Sequence, residues 1–185
     1  DFKTVKKIVR DNPLFVPAIQ LLVREYVKNG DKGDALSVLN RALKQKALPD
    51  EGRAFLLKQR AYVYLVFNDA KRAQEDLYDV KIISGNMSAD IMALQARAWI
   101  IRERNLDDAY NYAMALIKNN TSDVYAWTLA AQVVAKRENV DNALEILESV
   151  SGSGGNMSVL YEVLGDLYSA QGDKERALRA YNQAL

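Results

Sequence analysis

Apolar residues recur along this chain at offsets of three and four, on both sides of a series of short polar turns. That spacing is helical. The turns read Lys28-Asn29-Gly30-Asp31, Phe67-Asn68-Asp69, Arg104-Asn105-Leu106-Asp107, Arg137-Glu138-Asn139 and Gln171-Gly172-Asp173. Asn and Gly suit a left-handed helix end, and Asp suits the start of the next helix. Each turn therefore predicts two antiparallel helices joined closely. An alanine follows each turn, at Ala35, Ala73, Ala109, Ala143 and Ala177, with intervals of 38, 36, 34 and 34 residues. Seven residues beyond each stands Ala42, Val80, Leu116, Val150 or Ala184, and nine before stands Tyr26, Tyr64, Ile100, Val134 or Tyr168. A fixed period of this length marks an array of stacked helix pairs, each burying its apolar faces against its neighbours.

The small residues are expected where the two helices of a pair come closest. A larger side chain there would overpack the contact, costing roughly 1–3 kcal/mol. The last units read Trp127-x2-Ala130-Ala131-x2-Val134 and Tyr161-x2-Leu164-Gly165-x2-Tyr168. Ala143, Leu147 and Val150 follow the first, and Gly172, Ala177, Tyr181, Ala184 and Leu185 follow the second. Leu57-x2-Arg60-Ala61-x2-Tyr64 and Ile19-x2-Leu22-Val23-x2-Tyr26 repeat the pattern more loosely. In this the chain resembles the tetratricopeptide repeat family over essentially its whole length. The resemblance implies an all-α, right-handed superhelical solenoid of antiparallel helix pairs. Five repeats are expected within 13–185, at about 16–49, 54–87, 90–122, 124–157 and 158–185, after a leading helix in 1–12.

The middle repeat leaves two registers open. Counting back from Ala109 puts Arg97 at the small-residue position, where a long cation fits badly. Sliding by one gives Leu94-x2-Arg97-Ala98-x2-Ile101, which requires a shorter turn.

The ends and connections carry further expectations. Phe2, Val5, Ile8 and Val9 share one side of the leading helix, which reads as the second helix of a repeat begun before Asp1. Leu185 stops within a second helix, so both ends imply a longer parent chain. Pro17 suits the first turn of its helix. Pro49, with Asp50 as a cap, ends the longer linker Gln45–Glu51. Ser151–Gly155 is a flexible connector; it lacks the GxxxxGK pattern and preceding strand of a phosphate loop. Asn86, Asn119, Asn120 and Asn156 head glycosylation-type triplets, but they fall where helix caps belong.

Composition narrows the function. The chain has no cysteine and no histidine. Thiolate metal sites and thiol chemistry are thereby excluded, and the commonest general base and metal ligand are missing. Catalysis would have to rest on carboxylates, Lys, Ser or Tyr. The adjacent acids Asp107-Asp108 and Glu75-Asp76 read as helix-start charges that favour the helix dipole. Asp31–Asp34 lacks the spacing of a calcium loop. Tyr26, Tyr64, Tyr161, Tyr168 and Tyr181 fall on packing positions. The reading is therefore of a non-enzyme without cofactor or metal. Lys and Arg total 25 against 24 Asp and Glu, a balance that disfavours nucleic acid as the partner. No apolar run is long enough to insert in a membrane. The composition fits the cytoplasm and, in a bacterium, the periplasm.

What remains is surface. The resemblance implies that first helices line a concave groove that takes a protein or peptide partner. It places there Gln20, Arg24 and Val27, then Phe55, Lys58, Tyr62 and Leu65, then Tyr125, Thr128, Gln132 and Ala135, then Val159, Glu162, Asp166 and Ser169. The middle repeat offers either Ile91, Leu94, Ala98 and Ile101, or Met92, Gln95, Trp99 and Arg102. The strongest candidates are Arg24, Phe55, Lys58, Tyr62, Leu65, Leu94, Tyr125, Gln132, Glu162 and Asp166. The paired Lys and Asn of chaperone-binding members are missing from these positions, which disfavours a co-chaperone role. Residues 1–60 carry 13 Lys and Arg against 7 Asp and Glu, whereas residues 141–185 carry 3 against 7. Such a gradient could orient a bound peptide, or be ordinary surface variation. The expected function is a scaffold or adaptor. The alternatives are an accessory array of a larger enzyme or envelope-assembly factor, and self-association through the terminal repeats.

Overall fold

The computed structural model describes residues 2–151 and 157–185. The Gly-Ser connector at 152–155 and Asn156 lie outside the described residues. Those described form eleven helices and no strand. Contacts divide the chain within the sixth helix, into units ending at Leu94 and beginning at Gln95.

The first unit holds α1 (Phe2–Asp11), α2 (Val16–Lys28), α3 (Lys32–Leu43), α4 (Asp50–Val66), α5 (Ala70–Ser84) and the start of α6 (Ala89–Arg102). Successive helices from α1 to α5 pack in order, and α2 also touches α4. That extra contact sets first helices side by side, with their second helices behind. The α1 side chains Phe2 and Val5 lie half-buried against a core that includes Val9, Ile19, Leu22, Tyr26 and Leu39, while Ile8 stays exposed. Pro17 occupies the first turn of α2. Asp50 is not the α4 cap: Pro49 takes that position and Asp50 is already helical.

One polar group is buried deep in this unit. Asp76 is 4% exposed. It accepts from Arg60 Nε at 2.8 Å and Nη2 at 2.6 Å, and Arg60 Nη1 donates to Asn40 Oδ1 at 2.6 Å. Burial outweighs the ion pair and holds the Asp76 carboxyl above its ordinary range. Asp76 therefore does not act at a helix start. It lies well inside α5 and joins that helix to α4 and α3. Removing one partner of such a pair is more damaging than the pair is stabilising.

The second unit holds the rest of α6, α7 (Leu106–Asn119), α8 (Val124–Arg137), α9 (Val140–Val150), α10 (Met157–Gln171) and α11 (Lys174–Ala184). Here α8 touches α10, as α2 touches α4. Asp107 and Asp108 do stand in the first turn of α7. Its core gathers Val134, Leu144, Leu147, Leu160 and Leu164. Side-chain caps begin several helices: Asp69, Asp123, Asn139 and Asp173 each accept from the backbone N–H three residues on.

The turns repeat one hydrogen-bond device. The backbone N–H of Asp31, Asp69 and Asp173 donates to the carbonyl of Tyr26, Tyr64 and Tyr168, at 2.8, 2.7 and 2.9 Å. The preceding residue, Gly30, Asn68 or Gly172, has φ of 78°, 59° or 84°. This left-handed closure suits Gly and Asn. In the middle repeat the bond runs from Arg104 N–H to the Trp99 carbonyl at 3.1 Å, and Glu103 takes the left-handed place with φ 50°. Trp99 thus stands where the tyrosines stand, ten residues before Ala109 rather than nine. The extra residue is Asn105, itself at φ 51°. Neither register left open by the sequence holds: the turn is longer by one, and the helix is shifted the other way. Ala96 becomes the small residue, fully buried, and Ile91, Ala98 and Ile100 fall on buried positions as they should.

Every repeat alanine from Ala35 to Ala177 is buried. The small position of the facing helix is Ala61, Ala96, Ala131 or Gly165, all buried, with Val23 in the first repeat. Gly165 shows what fixes the choice. A Cβ built there would lie 2.4–2.8 Å from the Tyr181 ring. The residue sixteen positions beyond Val23, Ala61 or Ala131 is a leucine; beyond Gly165 it is Tyr181. The ring needs the missing methyl. Gly165→Ala is therefore expected to lower the melting midpoint, at a cost of roughly 1–3 kcal/mol, and adding Tyr181→Leu should restore most of it. Thermal unfolding of both variants checks this; an unchanged midpoint in Gly165→Ala would contradict the close approach.

Candidate functional site

The contact of α2 with α4 leaves a cleft along their exposed sides. Its volume is about 550 Å³, and it is lined by Gln20, Val23, Arg24, Val27 and Lys28 of α2 and by Gln59 and Tyr62 of α4. Those side chains share the cleft because the α2 residues recur at offsets of three and four. Tyr62 is 41% exposed. Arg24 and Lys28 are exposed and form no ion pair among the described residues. No carboxylate lines the cleft. Of the residues expected from sequence, Arg24 and Tyr62 meet here, joined by Gln20 and Val27. Lys28 and Gln59 were missed; the four-residue step from Arg24 to Lys28 was the available signal.

Phe55 and Lys58 go elsewhere. With Asp50, Glu51, Ile83 and Ser84 they line a second hollow of about 400 Å³. Phe55 is half-buried against the core of the first unit. Lys58 lies 5.7 Å from the centre of the Phe55 ring and pairs with Asp90 at the start of α6. Asp90 also accepts from the Ser88 hydroxyl and from the Ile91 backbone N–H. Burial pushes its carboxyl up, but the Lys58 and Ser88 bonds and the Lys58 charge overcome this and hold it below the usual range.

Two expected groove residues are corrected. Leu65 is 2% exposed and belongs to the core. It ends the run Val63–Leu65, where α4 is covered on more than one side and successive residues lose solvent together. Leu94 is half-buried, and the turn closed on Trp99 moves it off the groove row.

In the second unit Tyr125 and Gln132 are half-buried, and Glu162 and Asp166 are exposed. Thr128 is buried, its hydroxyl donating to the Tyr125 carbonyl at 2.7 Å. The Tyr181 hydroxyl donates to Asp166 at 2.8 Å, and that bond raises the phenol above its usual pKa. Among the described residues no group of three acidic side chains is placed to hold a metal. No described helix is long and apolar enough to cross a membrane.

A family profile described as a tetratricopeptide repeat-like domain matches residues 65–185. The chain belongs to this family. No curated protein sequence matches it. A tetratricopeptide repeat protein from Parabacteroides merdae superposes with a TM-score of 0.77 at 18% identity, over 99% of this chain and 69% of that one. TTC0263, a thermophilic repeat protein of Thermus thermophilus, gives 0.69 at 18% identity, over 92% and 90%. YrrB, described as having an unusual peptide-binding site, gives 0.59 at 17% identity, over 100% and 92%. At these identities the likenesses show the fold alone. They agree with the all-α helix pairs described above, and tetratricopeptide repeats as a class bind protein or peptide partners.

The Asp90 geometry sets a pH dependence. Its folded-state pKa lies below the ordinary value of 3.8, so its stabilising contribution is present above that value and is lost as pH falls through the lower one. Asp90→Asn should therefore melt earlier than the parent at neutral pH, with the difference shrinking below about pH 4. Melting curves across pH check this; a difference that persists undiminished in acid would contradict it.

Proposed function

We propose that this chain is a protein-binding module that holds an extended peptide segment of a partner along the exposed side of its first helices. The observation that carries the reading is the open cleft between α2 and α4. Its apolar wall, Val27 and the Tyr62 ring, offers burial, and its amide and cationic groups offer orientation. Exposed patches of that make-up tend to mark binding sites. The family's general role as an interaction scaffold supports the reading, as does the peptide-binding site of YrrB. Tyr125, Gln132, Glu162 and Asp166 give the second unit a surface of its own for further contacts. The reading contains no catalytic step.

The energetics favour Tyr62 as an anchor. A tyrosine offers a large rigid area at little cost in side-chain entropy, and such residues dominate binding energy at interfaces. Peptides selected from a displayed random library against the whole chain provide the probe. Tyr62→Ala is expected to weaken their binding about tenfold, the loss of some 1.4 kcal/mol. Tyr62 is 41% exposed and lies outside the buried core, so the melting midpoint should move less than on truncating a core residue. Fluorescence anisotropy with the selected peptides checks the affinity. Peptides that bind the variant and parent equally would overturn the reading.

A further inference from the structure

We infer that the α2/α4 cleft selects acidic peptide segments, in which two carboxylate side chains flank an apolar one. The inference rests on the docking reading above and specifies the partner's chemistry. Its first support is the charge state of the lining. Several other cations of the first unit are committed to carboxylates: Lys58 to Asp90, Arg60 to Asp76, and both Lys32 and Arg72 to Asp69. Arg24 and Lys28 are not, and both face the cleft. The remaining polar groups there are the amides of Gln20 and Gln59 and the Tyr62 hydroxyl, each able to donate to an anion.

The spacing gives the second support. Arg24 and Lys28 stand one turn apart on α2, a rise of about 6 Å. Alternate residues of an extended peptide repeat at about 6.6 Å and point to the same side. A segment lying along the cleft therefore brings its first and third side chains to the two cations. The second points the other way, toward Tyr62 and Gln59 on α4. Carboxylates at the outer two positions would meet Arg24 and Lys28, and an apolar side chain between them would lie on the Tyr62 ring. A basic segment finds no carboxylate in the cleft and two like charges against it, which is the repulsive half of specificity.

The test uses the whole chain and the displayed random peptide library. Enriched sequences are synthesised with a fluorescent label, each beside a counterpart in which Lys replaces every Asp and Glu. The inference expects enriched sequences with acidic residues two apart around an apolar one. Their binding should fall about tenfold in an Arg24→Ala, Lys28→Ala double variant of unchanged melting midpoint. It should also weaken as salt rises from about 50 to about 500 mM, as exposed charges are screened, and the Lys counterparts should not bind. Neutral or basic sequences that need Tyr62 but not Arg24 and Lys28 would overturn the acidic selectivity and leave the docking reading standing. Sequences indifferent to Tyr62→Ala would overturn both, as would a library that yields no enriched sequence.

Discussion

The close approach of paired helices at small side chains is the constraint on which the rest of the structure depends. In each pair one helix carries a buried alanine and the other a buried alanine, a buried glycine or, in the first repeat, Val23. A contact this tight has little tolerance for added volume, because protein interiors are already close-packed. It also fixes the rotation of both helices, and rotation decides which side chains face the next pair. The cleft between α2 and α4 is a consequence: Arg24, Lys28 and Tyr62 are turned outward because Val23, Ala35, Ala61 and Ala73 are turned in. Gly165 is the extreme case, with the Tyr181 ring occupying the space of the absent methyl.

A second constraint acts at the turns. The backbone bond that closes on Tyr26, Tyr64, Trp99 and Tyr168 ends the first helix of a pair at a defined residue. The left-handed residue before its donor redirects the chain. In the middle repeat the two constraints are separated by one extra residue, Asn105. The helix ahead of the turn keeps its own phase, set by Ala96 and Trp99, while the helix after it keeps the phase set by Ala109. An added residue in a turn is absorbed by a second left-handed dihedral, whereas a misplaced one within a helix would expose a buried face.

These distinctions explain what could be read from the residues in order. The repeat alanines leave a one-residue signature that survives when everything around them varies, so the helix pairs and the family were legible. The middle register was not, because Leu94, Arg97 and Ala98 imitate the pattern of Leu57, Arg60 and Ala61, and only the turn hydrogen bond distinguishes them. Groove and core positions lie on adjoining rows of one helix. Whether Leu65 faces solvent depends on what covers α4, which spacing alone does not say. Lys58 was expected in the groove with Tyr62, and its pairing with Asp90, which spans 32 residues, was invisible along the chain. The same holds for Asp76, whose neighbours in sequence read as a helix start while its partner Arg60 lies on another helix.

The central claim is that helix rotation, set by the small residues, makes the exposed side of α2 and α4 the receptive surface. Chemical-shift mapping by NMR of the whole chain, titrated with a library-selected peptide, addresses it most directly. The account predicts that perturbed amides and side chains cluster around Arg24, Val27, Lys28, Gln59 and Tyr62. Perturbations confined to the outward side of α5, around the exposed Tyr78 and Ile82, would contradict it.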